Sequence, residues 1–128
     1  MTGAPIGRNS PPPGARSLSA HSTWFNGIVY TTAVPSRADG SFELGDIRAQ
    51  AELTLENLAR DLRDADSSMA DILHLTIYLA DIADWASFNE SYVRHVPKPY
   101  PCRCAVGVAA LAIPGMRVEV TALAARAG

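Results

Sequence analysis

The chain has 128 residues, 48% of them hydrophobic and 19% charged, with a formal net charge of -2. That length fits one domain around one core, and the composition is globular rather than disordered. There is no basic run to neutralise phosphates and no apolar run near the roughly 18 residues of a membrane span, which argues against nucleic-acid and membrane partners.

Residues 1–16 contain Gly3, Pro5, Gly7, Pro11, Pro12, Pro13 and Gly14. Such a stretch does not propagate a helix or a sheet ladder, so it reads as a flexible or extended arm ahead of a single domain at 17–128. It also lacks the apolar core of a secretory signal, so the expected compartment is the cytosol. Cys102 and Cys104 fit that setting. Two residues apart on a strand, their side chains run parallel, so both read as reduced packing residues.

Residues 17–24 alternate weakly and suggest a strand. Asn26-Gly27 is a hairpin signal, and 28–34, rich in β-branched and aromatic residues, is the return strand. Pro35 ends it, and 36–45 is a loop. Asp46 is placed to cap a helix whose apolar stripe is Ile47, Ala51, Leu55, Leu58 and Leu62, ending near Asp64. Residues 73–79 alternate with period two as a strand. Asp84 then caps a second helix with Trp85, Phe88, Tyr92, Val93 and Val96 as its buried stripe, stopped by Pro97. Asn89 lies beside that stripe, one turn above Trp85.

The stretch 103–111 reads as the next strand and 117–124 as the last, joined as a hairpin around Pro114-Gly115. The order is β-β-α-β-α-β-β. Its strand–helix–strand crossovers put both helices on one face of a single mixed sheet. The strand at 103–111 is apolar on both sides, so the uncovered sheet face predicts a homo-oligomer.

No phosphate loop, metal-ligand spacing or nucleophile elbow is present, and His21, His74 and His95 are scattered. No metal is expected. Three polar residues remain as candidates. Arg103 heads an apolar strand. It either pairs with a surface carboxylate or presents its planar fork to a substrate carboxylate. Glu119, between Val118 and Val120, is either a surface strand residue or a carboxylate that places a water. Asn89 is either an exposed amide or part of a pocket. In the expected hairpin, Arg103 and Glu119 are about seven residues apart along the ladder, more than about 20 Å. A pocket using both draws them from different subunits.

Several stretches then carry a resemblance: Gly45-Asp46-Ile47-Arg48-Ala49-Gln50 through Leu55-Glu56-Asn57-Leu58, Ile77-Tyr78-Leu79-Ala80-Asp81, Phe88-Asn89-Glu90-Ser91-Tyr92, Pro101-Cys102-Arg103-Cys104-Ala105-Val106, and Val118-Glu119-Val120. In this order and spacing, over residues 17–125, the chain resembles the RidA/YjgF family of reactive imine and enamine deaminases. The resemblance implies an α+β, chorismate-mutase-like fold and a homotrimer with clefts between subunits. It also implies cofactor-free hydrolysis of small 2-imino or 2-enamino acids to 2-keto acids and ammonia. The family's carboxylate-binding arginine falls on Arg103, its helix asparagine on Asn89, and its water-associated glutamate on Glu119, with one residue inserted in the preceding turn. Leu18 stands where the family has a pocket tyrosine, and Thr32 where it has a glycine whose amide faces the substrate carboxylate. Cys104, next to Arg103, joins Leu18 and Thr32 in the expected substrate-binding set. The alternative reading is a non-catalytic trimeric binding module for a small carboxylate metabolite.

Overall fold

Asn26 and Gly27 both have positive φ, 52° and 79°, as a two-residue type I′ turn requires. They join β2 (Ser22–Phe25) to β3 (Ile28–Ala33). The structure, a computed structural model, describes residues 5–127. The other elements are β1 (Gly7–Asn9), α1 (Ile47–Asp64), β4 (Ile72–Leu79), α2 (Trp85–His95), β5 (Cys102–Gly107) and β6 (Val118–Ala125). The six strands form one mixed sheet in the order β1-β2-β3-β6-β4-β5, in which β4 and β5 are the parallel pair. The inward residues of β3, β4 and β6 share one core with α1 and α2, so both helices cover the same face, as expected. The opposite face carries Tyr30, Thr32, Tyr78, Glu119, Thr121 and Leu123, and nothing among the described residues covers it.

α1 begins where the sequence places it. The Asp46 carboxylate accepts from the Ala49 N–H at 2.9 Å, and the whole apolar stripe is buried. Beside that stripe runs a second buried row, Gln50, Thr54, Asn57 and Asp61, at helical spacing but polar. Gln50 donates to the Gly45 and Gly115 carbonyls, at 3.0 Å each, and accepts from the Arg117 N–H at 2.7 Å. It ties the start of α1 to the loop before β6. Gln50→Ala leaves those backbone groups without partners. It is expected to lower the free energy of unfolding by about 2–4 kcal/mol, seen as an earlier urea midpoint at unchanged slope.

Four sequence expectations need correction. First, β5 and β6 are not a hairpin. β5 leaves α2 through a crossover and lies parallel to β4, while β6 inserts between β3 and β4. The apolar run after Gly107 is the loop that crosses the end of β4, so the strand stops there rather than at 111. Second, Gly7–Asn9, inside the expected arm, pairs antiparallel with Ser22–Trp24 as an edge strand, ahead of the proline run. Residues 1–4 of the arm lie outside the described residues. Third, Val93 is 57% exposed, and α2 buries Ser91 in its place. Fourth, Cys102 and Cys104 are free thiols but exposed, so they are not packing residues of this chain's core.

Asp84 precedes α2 as expected, yet its side chain makes no capping bond. Arg117 Nε and Nη2 grip its two oxygens at 3.0 and 2.9 Å. The fork occupies the acceptor and fixes the start of α2 to the start of β6.

Candidate functional site

On the outer strand β5, Arg103 pairs in register with Leu75 and so points to the helix-covered face. There α2 presents Trp85, Asn89 and Tyr92, spaced four and three apart and so on one side of the helix. The guanidinium carbon lies 4.6 Å from the Trp85 ring centroid and 4.2 Å from that of Tyr92. Nη1 donates to Asn89 Oδ1 at 2.7 Å. Two aromatic faces and one amide therefore hold the fork without neutralising it. Among the described residues Arg103 makes no salt bridge. This removes the reading in which a surface carboxylate pairs with it. The Nε–Nη2 edge, the geometry that grips a carboxylate with two parallel bonds, is left without a protein acceptor among these residues. Burial raises the Tyr92 pKa, and the nearby Arg103 charge only partly opposes it, so the stacked ring is a neutral phenol at pH 7.

Glu119 lies elsewhere. It pairs with Tyr78 on the uncovered face, near the start of β6. From Arg103 it is three residues along the ladder and two strands across, about 10 Å in each direction, and on the other side of the sheet. The two stay apart within one chain, but by less than the expected separation of about 20 Å and on different grounds: β4 intervenes, and the two side chains face opposite ways.

Glu119 and Thr32 open onto a cleft of about 790 Å³, whose far wall includes Asn57 and Asp61. Burial raises the Glu119 pKa, so its carboxyl holds a proton more tightly than an exposed glutamate does. Thr32 is exposed at the rim with its side chain on the cleft side, where the resemblance implies a glycine. Ser17 and Ser19 also line the cleft, but Leu18 between them is 102% exposed and takes no part in it. Cys104 pairs with Thr76 on the Glu119 side of the sheet, its thiol 3.9 Å from Thr76 Oγ1. It shares a strand with Arg103 but not a face.

The sequence reading named Asn89 and Arg103, and the structure brings those two together. Both Trp85 and Tyr92 read as buried aromatics in the sequence, but only Tyr92 is buried, and neither was legible as a plate beneath a guanidinium. The cleft wall at Asn57 and Asp61 was missed. Its signal was the polar row at spacings of four, three and four, hidden by the apolar row beside it.

Comparison with known proteins gives a consistent result. The family model described as Endoribonuclease L-PSP matches residues 10–126. "Protein mmf2, mitochondrial" of Schizosaccharomyces pombe is 38% identical over 101 residues, 77% of this chain and 80% of that protein. "Protein MMF1, mitochondrial" of Saccharomyces cerevisiae is 31% identical over 107 residues, 84% and 74% of the two chains. "Reactive Intermediate Deaminase A, chloroplastic" of Arabidopsis thaliana is 32% identical over 85 residues, 66% and 45% of the two. The crystal structure of RidA from an Antarctic Psychrobacter superposes with a TM-score of 0.80 at 28% identity, covering 91% of this chain and 94% of that one.

These relatives overturn the cytosolic expectation, since two of them are named as mitochondrial proteins. The reason is physical. A mitochondrial leader is amphipathic, Arg-rich and poor in acids rather than apolar, so the lack of an apolar core in residues 1–16 assigns no compartment. Fold, family model and relatives agree: the chain belongs to the Endoribonuclease L-PSP family, the RidA/YjgF proteins.

Proposed function

We propose that this protein hydrolyses small 2-imino acids, and the 2-enamino acids that tautomerise to them, to 2-keto acids and ammonia. The observation that carries the reading is the Arg103 guanidinium, held by Asn89, Trp85 and Tyr92 with its bidentate edge open. A relative named as a reactive intermediate deaminase supports it. Arg103 binds the substrate carboxylate, with backbone donors at the Thr32 end of β3 facing the same group. Glu119 places a water against the C=N carbon. Water adds, the C=N bond becomes C–N, and the tetrahedral intermediate expels ammonia as the C=O bond forms. The site supplies position and proton transfer, and no cofactor enters the reaction.

Arg103 and Glu119 face opposite sides of one sheet, so the cleft that joins them lies between two copies of the chain. The assembly that fits is a homotrimer closed over the uncovered sheet face. Sedimentation should show a trimer at micromolar concentration, and a stable monomer there defeats this arrangement.

The test of the activity is keto-acid release from freshly generated 2-imino acid. Wild type should exceed buffer and Arg103→Ala should not. Equal rates for both proteins, no better than buffer, sink the catalytic reading. A second reading draws on Thr32 and Leu18, which replace the family's glycine and tyrosine: a trimeric module that binds a small carboxylate metabolite. Saturable binding without turnover favours it.

A further inference from the structure

The cleft at Glu119 extends past the edge of the sheet, and its far end holds a buried carboxylate that the proposed hydrolysis does not use. β2 pairs with β3 only as far as Ser22↔Thr31, so Thr32 and Ala33 have a strand neighbour on the β6 side alone. The cleft wraps around this open edge, from Thr32 and Glu119 on the uncovered face to Asn57 and Asp61 on α1. Asp61 has a side chain only 9% exposed. Its one polar partner among the described residues is the half-exposed Arg60, whose Nη2 forms a long ion pair with Oδ1 at 3.4 Å. Arg60 makes its shorter bond to Asn57 Oδ1, at 3.1 Å. Asp61 Oδ2 has no donor among these residues. Burial raises the Asp61 pKa, against the weaker opposing effects of Arg60 and His21.

The neighbours set the sign of the site. Arg37, also on the cleft, spends its guanidinium on Glu43, the Phe42 carbonyl and Ser41. Asn57 donates to the carbonyls of Val34 and Ser36, and its oxygen accepts from Arg60. Asp64 and Glu119 add negative charge to the lining, against the positive charge of Arg60 beside Asp61. A buried carboxylate with an open acceptor costs stability unless a donor reaches it, and a cation satisfies it best. An apolar side chain placed there leaves it unsatisfied.

We propose that Asp61 selects the substrate: the acid bound in this cleft carries a side chain ending in a cationic hydrogen-bond donor such as a guanidinium. Placing the reacting end at Glu119 rests on the deaminase reading, but the selectivity does not depend on turnover. The test is calorimetric titration of the full chain with two unreactive acids of similar length, 5-guanidinopentanoate and octanoate. The guanidino acid should bind at least about tenfold more tightly. Asp61→Asn, checked for folding by circular dichroism, should erase the difference. Equal affinities in wild type, or an undiminished preference in the variant, overturn the inference. If Asp61→Asn does not fold, the wild-type comparison alone decides. Preference without keto-acid release leaves the inference standing and defeats the deaminase reading, and keto-acid release without preference does the reverse.

Discussion

Arg103→Lys is expected to lower kcat/KM for 2-imino-acid hydrolysis by about a hundredfold or more, although the charge is kept. The argument is geometric. The Arg103 guanidinium lies over the rings of Trp85 and Tyr92 and spends Nη1 on Asn89. That leaves Nε and Nη2 side by side for two parallel bonds to a carboxylate. A lysine ammonium has no planar face to stack and offers a point charge in place of a fork. Losing one hydrogen bond to a charged group removes roughly 1.5–3 kcal/mol, and losing the plane that orients the acid removes more. KM should rise and kcat should fall, because in the proposed hydrolysis the fork is what holds the reacting carbon over the water. Trp85→Leu should reproduce part of the loss and Trp85→Phe should restore it, since a ring is what the guanidinium needs. Steady-state kinetics on the four proteins check this. A lysine variant within about threefold of wild type would falsify the bidentate role, since that margin is well below one charged hydrogen bond.

Much of the fold was legible because local signals and tertiary demands agree. Asp46 caps α1, the apolar row of that helix is buried, and Asn26-Gly27 turns as a type I′ hairpin should. The last third was misread at one point. Val108, Ala109, Ala110 and Leu111 continue the β-like composition of β5, and a proline–glycine turn follows, so composition favours a hairpin. What decides the topology is not local. The parallel β4–α2–β5 crossover fills the outer position, and the central slot between β3 and β4 is left for β6. The site shows the same division. Arg103 stood out because a charge at the head of an apolar strand is costly without a partner. Its partners are aromatic and amide, and which side of β5 they meet depends on the β4 register. Asp61 gave almost no signal, since an aspartate among arginines on a helix reads as solvated surface until the sheet edge is seen to bury it.

Glu119→Gln is expected to lower kcat by about 10²–10⁴-fold and to remove the acid limb of the pH profile. Burial raises the Glu119 pKa above its ordinary value of 4.5. In the proposed hydrolysis the form that places and deprotonates the water is the carboxylate, so wild-type activity should fall as pH drops through that raised pKa, at higher pH than an exposed glutamate allows. Glutamine keeps the shape and cannot titrate, so what activity remains should be flat across that range. Stability should move the other way. In the folded state the group binds its proton more tightly than in the unfolded chain, so between 4.5 and the raised pKa folding takes up protons and stability falls as pH rises. Above the window the ionised, partly buried carboxylate is a standing cost that a neutral glutamine side chain at this position would not carry. The Glu119→Gln protein should therefore unfold at a higher urea concentration than wild type at neutral pH, with the gain shrinking to nothing below the ordinary glutamate range. A group kept for catalysis predicts this pairing of lost turnover with gained stability. A surface strand residue predicts neither, and a variant that keeps both full turnover and the acid limb would assign the water to another group.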